Sequence, residues 1–158
     1  MINSITLLKG AALQFQGGYA GNVTAQEAFD GLAEQQEATL IDVRTQAEWS
    51  FVGVPDLRPL GKEPILAEWQ SFPSTGPNPA FAESVSDVLV KKGLDRNAPI
   101  YFLCRSGARS QAAAIALTQA GFTQCFNISD GFEGPLGPDG HRGTQSGWKA
   151  AGLPWIQS

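Results

Sequence analysis

Residues 103–110, Leu-Cys-Arg-Ser-Gly-Ala-Arg-Ser, gather in one short stretch the side chains from which a sulfur nucleophile is made. They follow the continuous apolar run Pro99-Ile100-Tyr101-Phe102-Leu103 and precede an alanine-rich segment, 110–120, closed by Gly121. A strand, a tight loop and a helix in that order would place Cys104 at the base of the loop. Gly107 permits a positive φ. Small residues at 106, 107 and 108 would let successive backbone N–H groups turn inward, as an anion nest abutting the helix N-terminus. Amide dipoles, with Arg105 and Arg109, favour thiolate over thiol at Cys104. The same donors would hold an anionic group carried on the sulfur. This is nucleophilic chemistry without a general base, the ionised sulfur being held electrostatically. A cysteine ending a central strand is ordinarily a small buried hydrophobe. Two arginines, a glycine and small residues beside Cys104 turn that balance toward chemistry.

The elements that must position this loop can be read on either side of it. Thr24 and Glu27 have the spacing of a capping box and open a helix over 25–36, with Phe29 and Leu32 on one face. Residues 38–43 form an apolar run ending in the charged pair Asp42 and Arg44, the pattern of a buried parallel strand with polar groups at its carboxyl end. Residues 50–79 are rich in Pro and Gly, with 63–69 as an edge strand. Asn78-Pro79 turns the chain into a helix over 80–92, ended by Gly93 with Lys91 and Lys92 in its last turn. Residues 124–128 make another short strand. After Ser129-Asp130-Gly131 the chain is loop-rich to Gly147, and 148–151 suggest a last helical turn. Strands alternating with helices imply an α/β sandwich with a mainly parallel sheet. Ligands of such sheets sit beyond the carboxyl ends of the strands. Asp42, Arg44 and Cys104 all fall there.

The 158 residues suit one domain. Residues 1–21 read as an N-terminal arm that docks on the domain or is partly disordered, and 22–158 as the domain, with an extended loop-rich segment at 134–158. A net charge of −4 argues against a nucleic-acid partner, whose binding surface would be basic. Two cysteines are too few for a secreted disulfide scaffold, so both are expected as reduced thiols in the cytoplasm. No run is long enough to span a membrane. No metal, flavin or nucleotide motif is present, so no cofactor is expected.

Cys104 through Ser110, followed by Ala112-Ala113, Leu117, Gly121-Phe122 and Asn127-Ile128, resembles the active-site region of rhodanese domains. Leu40-Ile41-Asp42-Val43-Arg44 with Glu48-Trp49 is similar to their upstream strand motif, and Asp130-Gly131-Phe132 stands where the family often has paired glycines and an aromatic. The resemblance covers about residues 22–156. It implies a three-layer sandwich and a sulfurtransferase whose loop cysteine takes sulfane sulfur from a donor as a persulfide and passes it on. Cys104 would then be the carrier, Arg105, Ser106, Gly107, Ala108 and Arg109 the cradle, and Asp42 with Arg44 a framework pair beside it. We expected Asp42 to bond Arg105 or the loop backbone. The partners implied are a small-molecule sulfur donor or acceptor, or a protein acceptor.

The chain departs from the pattern in three places. Gly53-Val54-Pro55 replaces a common Gly-His-Ile, Ser106 stands where thiosulfate-preferring members often carry a basic residue, and the tail from Gly134 is long. Cys125 is expected as a buried structural thiol, His141 as a surface or loop residue, Glu48 as a cap or surface partner, and most of the tryptophans as packing residues. Two other readings stand beside sulfur transfer. Phosphatase or arsenate-reductase chemistry uses a related loop, but with five residues between Cys and Arg, whereas Cys104 and Arg109 enclose four. A non-catalytic module or sulfur carrier on the same fold is the other.

Overall fold

The computed structural model describes residues 16–71 and 76–157. Residues 1–15, most of the expected N-terminal arm, lie outside that description. The arm's last residues dock as integral parts of the domain: Tyr19 is buried in the core, and Gly21–Val23 form the first strand, β1. Thr24 then accepts a hydrogen bond from the Glu27 N–H while the Glu27 side chain accepts from the Thr24 N–H. This reciprocal cap starts helix α1, Ala25–Glu34. Strand β2, Thr39–Asp42, follows. A second reciprocal cap, Thr45 with Glu48, starts α2, Gln46–Val52.

The described residues of the Pro- and Gly-rich stretch form two minimal strands, β3 (Val54–Pro55) and β4 (Ile65–Leu66). The expected edge strand over 63–69 is therefore real but two residues long. Helix α3 (Phe81–Lys91), β5 (Ile100–Leu103), α4 (Ala108–Gln119), β6 (Cys125–Ile128) and β7 (Trp155–Ile156) complete the chain. Residues 148–151 make the single turn expected there, with the Ala151 N–H donating to the Gly147 carbonyl at 2.9 Å.

Five strands pair in the order β1-β6-β5-β2-β4, all parallel, and β5 at the centre is buried at every position. Its side chains alternate between the two faces. Ile100 and Phe102 join Ile41, Val43, Phe81, Val85, Leu89, Ala113 and Leu117, under α3 and α4. Tyr101 and Leu103 join Leu40, Ala25, Ala28 and Leu32, under α1, together with Phe132, Trp148 and Leu153 from the tail. The result is the three-layer α/β sandwich anticipated from the alternation of elements. Of the tryptophans only Trp148 is fully buried, and its Nε1–H donates to the Pro154 carbonyl at 2.7 Å. Among the described residues no helix is long and apolar enough to cross a membrane.

The long tail is structural. Its end, β7, pairs antiparallel with β3, so the departure at Gly53-Val54-Pro55 supplies the partner for Trp155 and Ile156. Asp130 fastens the tail to the sheet layer, with one carboxylate oxygen accepting from the Ala25 N–H at 2.9 Å and the other from the Gly147 N–H at 3.2 Å. One side chain thus satisfies an orphan amide at the start of α1 and holds the loop that carries Trp148. Asp130→Ala is expected to lower unfolding free energy by about 1–3 kcal/mol in a urea titration, because two backbone donors lose their acceptor.

Candidate functional site

Cys104 follows the last residue of β5 and is 1% exposed. Its Sγ accepts the Gly107 N–H at 3.1 Å and the Ser110 N–H at 3.3 Å, and lies 3.1 Å from the Ser110 hydroxyl. The second contact has a local cause. Helix α4 begins at Ala108, two residues earlier than the sequence suggested, with Gly107 as its N-cap and no side-chain cap. Ser110 is then the third residue of the helix, whose amide has no intrahelical acceptor. The sulfur takes the place of the missing cap, and the helix dipole favours negative charge there.

The cradle is narrower than expected. Of the five residues assigned to it, Gly107 donates its backbone N–H to the sulfur, whereas Arg105, Ser106 and Ala108 are exposed. Gly107 has φ +111°, and a Cβ there would come within 2.5 Å of the Ser129 carbonyl oxygen. Behind it, the 131–134 segment grips the loop: the Phe132 N–H donates to the Cys104 carbonyl at 2.8 Å, and the Glu133 and Gly134 N–H groups both donate to the Arg105 carbonyl at 3.1 Å.

Asp42 does not reach Arg105 or the loop backbone. Its carboxylate is taken by Arg44, with Nε at 2.9 Å and Nη2 at 2.6 Å, and Nη2 also donates to the Gly53 carbonyl at 2.8 Å. Both side chains are fully buried, and the guanidinium lies over the Phe132 ring at 4.2 Å. An unpaired charge at either position would be costly, so each residue holds the other. Together they are a frame for Phe132 and Gly53, not ligands.

Arg109 also finds a partner outside the loop. Its two Nη atoms bind both carboxylate oxygens of Glu48 at 2.6 and 2.9 Å, linking α4 to α2. Glu48 therefore does two jobs, capping α2 and fixing Arg109. Burial opposes the ionisation of Glu48, but the Arg109 and Thr45 hydrogen bonds and the Arg109 charge outweigh it and hold its pKa at about 2. The Glu48 hydrogen bond raises the pKa of Arg109, against burial, with smaller support from the nearby Cys104 and Asp42 charges.

Ser110 belongs to the motif but lies outside the cradle that the sequence suggests, and the structure brings it onto the sulfur. Its hydroxyl donates to Asn127 Oδ1 at 2.6 Å. Asn127 Nδ2 donates to Asn22 Oδ1 at 3.1 Å, and the same oxygen accepts from the Tyr19 hydroxyl at 2.9 Å. Asn127 could have been noticed as a polar residue in an otherwise apolar strand. Nothing in the sequence links it to Tyr19 and Asn22, which reach it across the β1–β6 pairing.

Cys125 is buried, and desolvation pushes its thiol up to about 12, as suits the structural thiol expected there. His141 is exposed, with Nδ1 at 3.5 Å from Asp139. No group of three or more metal-binding side chains occurs among the described residues.

Residues 20–158 match the family model described as STR4 middle domain. A protein of Arabidopsis thaliana named rhodanese-like domain-containing protein 4, chloroplastic, is 28% identical over 137 residues, covering 87% of this chain and 26% of that protein. The chain belongs to the rhodanese-like family. Within it, an uncharacterized protein of Rickettsia conorii is 40% identical over 134 residues, 85% of this chain and 95% of its own. The crystal structure of Rv0390 from M. tuberculosis superposes with a TM-score of 0.76 and 45% identity, over 89% of this chain and 99% of that one.

The Glu48–Arg109 link makes a prediction about acid stability. Because the folded-state pKa of Glu48 lies below its ordinary 4.5, the link contributes fully above about pH 4.5 and is lost as pH falls toward 2. Glu48→Gln is expected to cost on the order of 1–3 kcal/mol at pH 7. Denaturant titrations between pH 7 and pH 2 should show that difference shrinking across the window.

Proposed function

We propose that this rhodanese-like chain is a sulfurtransferase that carries sulfane sulfur as a persulfide on Cys104. The observation that carries the reading is the placement of the Cys104 sulfur, which caps α4 and receives the Gly107 and Ser110 amides. Oriented donors at a developing anion stabilise it without a proton acceptor and without reorganisation during the step. The Cys104 thiolate attacks the donor's outer sulfur. An Sγ–S bond forms, the donor's bond to that sulfur breaks, and the donor leaves with the electron pair. A nucleophilic acceptor then attacks the outer sulfur of the persulfide, and the Sγ–S bond breaks to return the thiolate. No external oxidant or reductant is consumed.

The loop geometry also supports sulfur over phosphate. A persulfide adds one compact atom, whereas a phosphoryl group brings three oxygens to satisfy. Two amides, one hydroxyl and a guanidinium already bound by Glu48 are a poor match for three charged oxygens. The exposed residues of the loop, Arg105, Ser106 and Ala108, leave room for a small donor or for a protein acceptor. Only Arg105 offers a cation there, since Ser106 is neutral.

Intact mass after incubation with sulfane donors, polysulfide and thiosulfate among them, tests the reading. A gain of one sulfur atom, mapped to Cys104 by peptide mass spectrometry and lost on adding cyanide or a thiol, is expected. Cys104→Ser should abolish it with the fold intact, and Cys125→Ser should retain it. Sulfur mapping to Cys125, or robust Cys104-dependent hydrolysis of aryl phosphates, would overturn the proposal.

A further inference from the structure

The Cys104 sulfur lies at one end of a hydrogen-bonded chain whose members are Ser110, Asn127, Asn22 and Tyr19, with the Gln111 amide donating to the Tyr19 hydroxyl at 2.9 Å. Each link fixes the next. The Tyr19 O–H and the Asn127 Nδ2 both donate to Asn22 Oδ1, so Asn127 turns its carbonyl to Ser110. Ser110 has one hydroxyl hydrogen. With that hydrogen on Asn127, the hydroxyl can only accept from the sulfur, an arrangement that suits a thiol, S–H. An ionised sulfur has no hydrogen to give, and Ser110 would then present a lone pair to an anion.

The same atoms admit a second order. If the Asn127 and Asn22 amides both turn over, Asn22 Nδ2 has two hydrogens and two acceptors, the Tyr19 oxygen and the Asn127 carbonyl. Asn127 Nδ2 then donates to Ser110, and Ser110 donates to the sulfur. The Tyr19 O–H, which gave to Asn22 Oδ1 in the first order, finds an acceptor once the exposed Gln111 amide also turns its carbonyl toward it. Buried polar groups left unmatched are costly, so the amides must turn together. No atom beyond three side-chain amides and two hydroxyl hydrogens has to move.

We propose that Asn127 and Asn22 are positioning residues that set the direction of the Ser110 hydroxyl, and that their joint reversal gives the Cys104 anion its third hydrogen-bond donor. The proposal rests on the sulfur-transfer reading for its purpose, since thiolate and persulfide are both anionic on that path. Its physical content concerns the free thiol alone. Besides Cys104 itself, Tyr19 is the titratable member of the chain; the charged groups near the sulfur lie outside it, with Arg105 on the loop, Arg109 on α4, Glu48 on α2, Asp42 at the end of β2 and Arg44 just after it.

An acceptor-only side chain at either amide position blocks the reversal. Asp at 22 cannot donate, so Asn127 must keep its Nδ2 toward it and its carbonyl toward Ser110. Asn22 is exposed, so Asn22→Asp leaves the core untouched and serves as the main variant, with Asn127→Asp as the buried counterpart. The readout is the rate of Cys104 alkylation by iodoacetamide across a pH series, followed by peptide mass spectrometry. Asn22→Asp is expected to raise the pH midpoint by about half a unit to one unit. In a Ser110→Ala background the same change should shift nothing, because the hydroxyl that transmits it is gone. An unmoved midpoint in Asn22→Asp, or a shift that survives in Ser110→Ala as a through-space charge effect would, refutes the reversal. The assay uses no sulfur donor, so a protein that shows the shift and yet gains no sulfur would sink the sulfur-transfer reading and leave this one standing.

Discussion

The grip of residues 132–134 on the carbonyls of Cys104 and Arg105 is the constraint from which the site follows. A peptide plane whose oxygen is held on one side must point its next N–H away from that side. Three amides pulling on two adjacent carbonyls therefore commit the loop's direction as it leaves β5, and the turn at Gly107 delivers the start of α4 onto the sulfur. The gripping segment needs Gly131. A Cβ at that position would run into the Arg105 carbonyl, and its φ of +68° is one that other residues adopt only with strain. Asp130, one residue earlier, ties the segment to the start of α1, and Arg44 packs against Phe132 one residue later.

Seen this way the buried charges belong to the scaffold. Asp42 and Arg44 pair with each other at the carboxyl end of β2, and Arg44 also holds the Gly53 carbonyl, which fixes the path into β3. Glu48 and Arg109 tie a helix with no buried residue of its own, α2, to the helix that the sulfur caps. Among the described charged side chains none is bonded to the sulfur itself. Its partners are two backbone amides and a neutral hydroxyl, groups whose direction is fixed by the backbone and by packing and not by titration.

Much of the architecture could be read from the sequence because it is written in local signals. The Thr24–Glu27 spacing announced α1, the continuous run at 100–103 announced the central strand, and Gly107 announced the turn below the sulfur. The motif around Cys104 led to the family for the same reason. What stayed hidden is non-local. Arg105 and Arg109 read as ligands because charge near a cysteine is visible in a sequence, while the Glu48 that engages Arg109 lies 61 positions away. The Asn127–Asn22 contact spans 105 positions and exists only because β1 lies beside β6. The docking of the arm's last residues is non-local in the same way, since Tyr19 looks unremarkable until the core it fills is assembled.

The register of the sheet also decides where sulfur can go. Cys125 lies opposite Ile100 at the start of β5, whereas Cys104 lies just past its end. Along parallel strands that offset is four residues, roughly 13 Å at about 3.3 Å each. A disulfide requires Cα atoms within about 7 Å, so the two thiols cannot meet while the sheet is intact. Cys104 has no internal partner with which to quench itself. Any disulfide that Cys104 forms while the sheet is intact is therefore to a sulfur of another molecule.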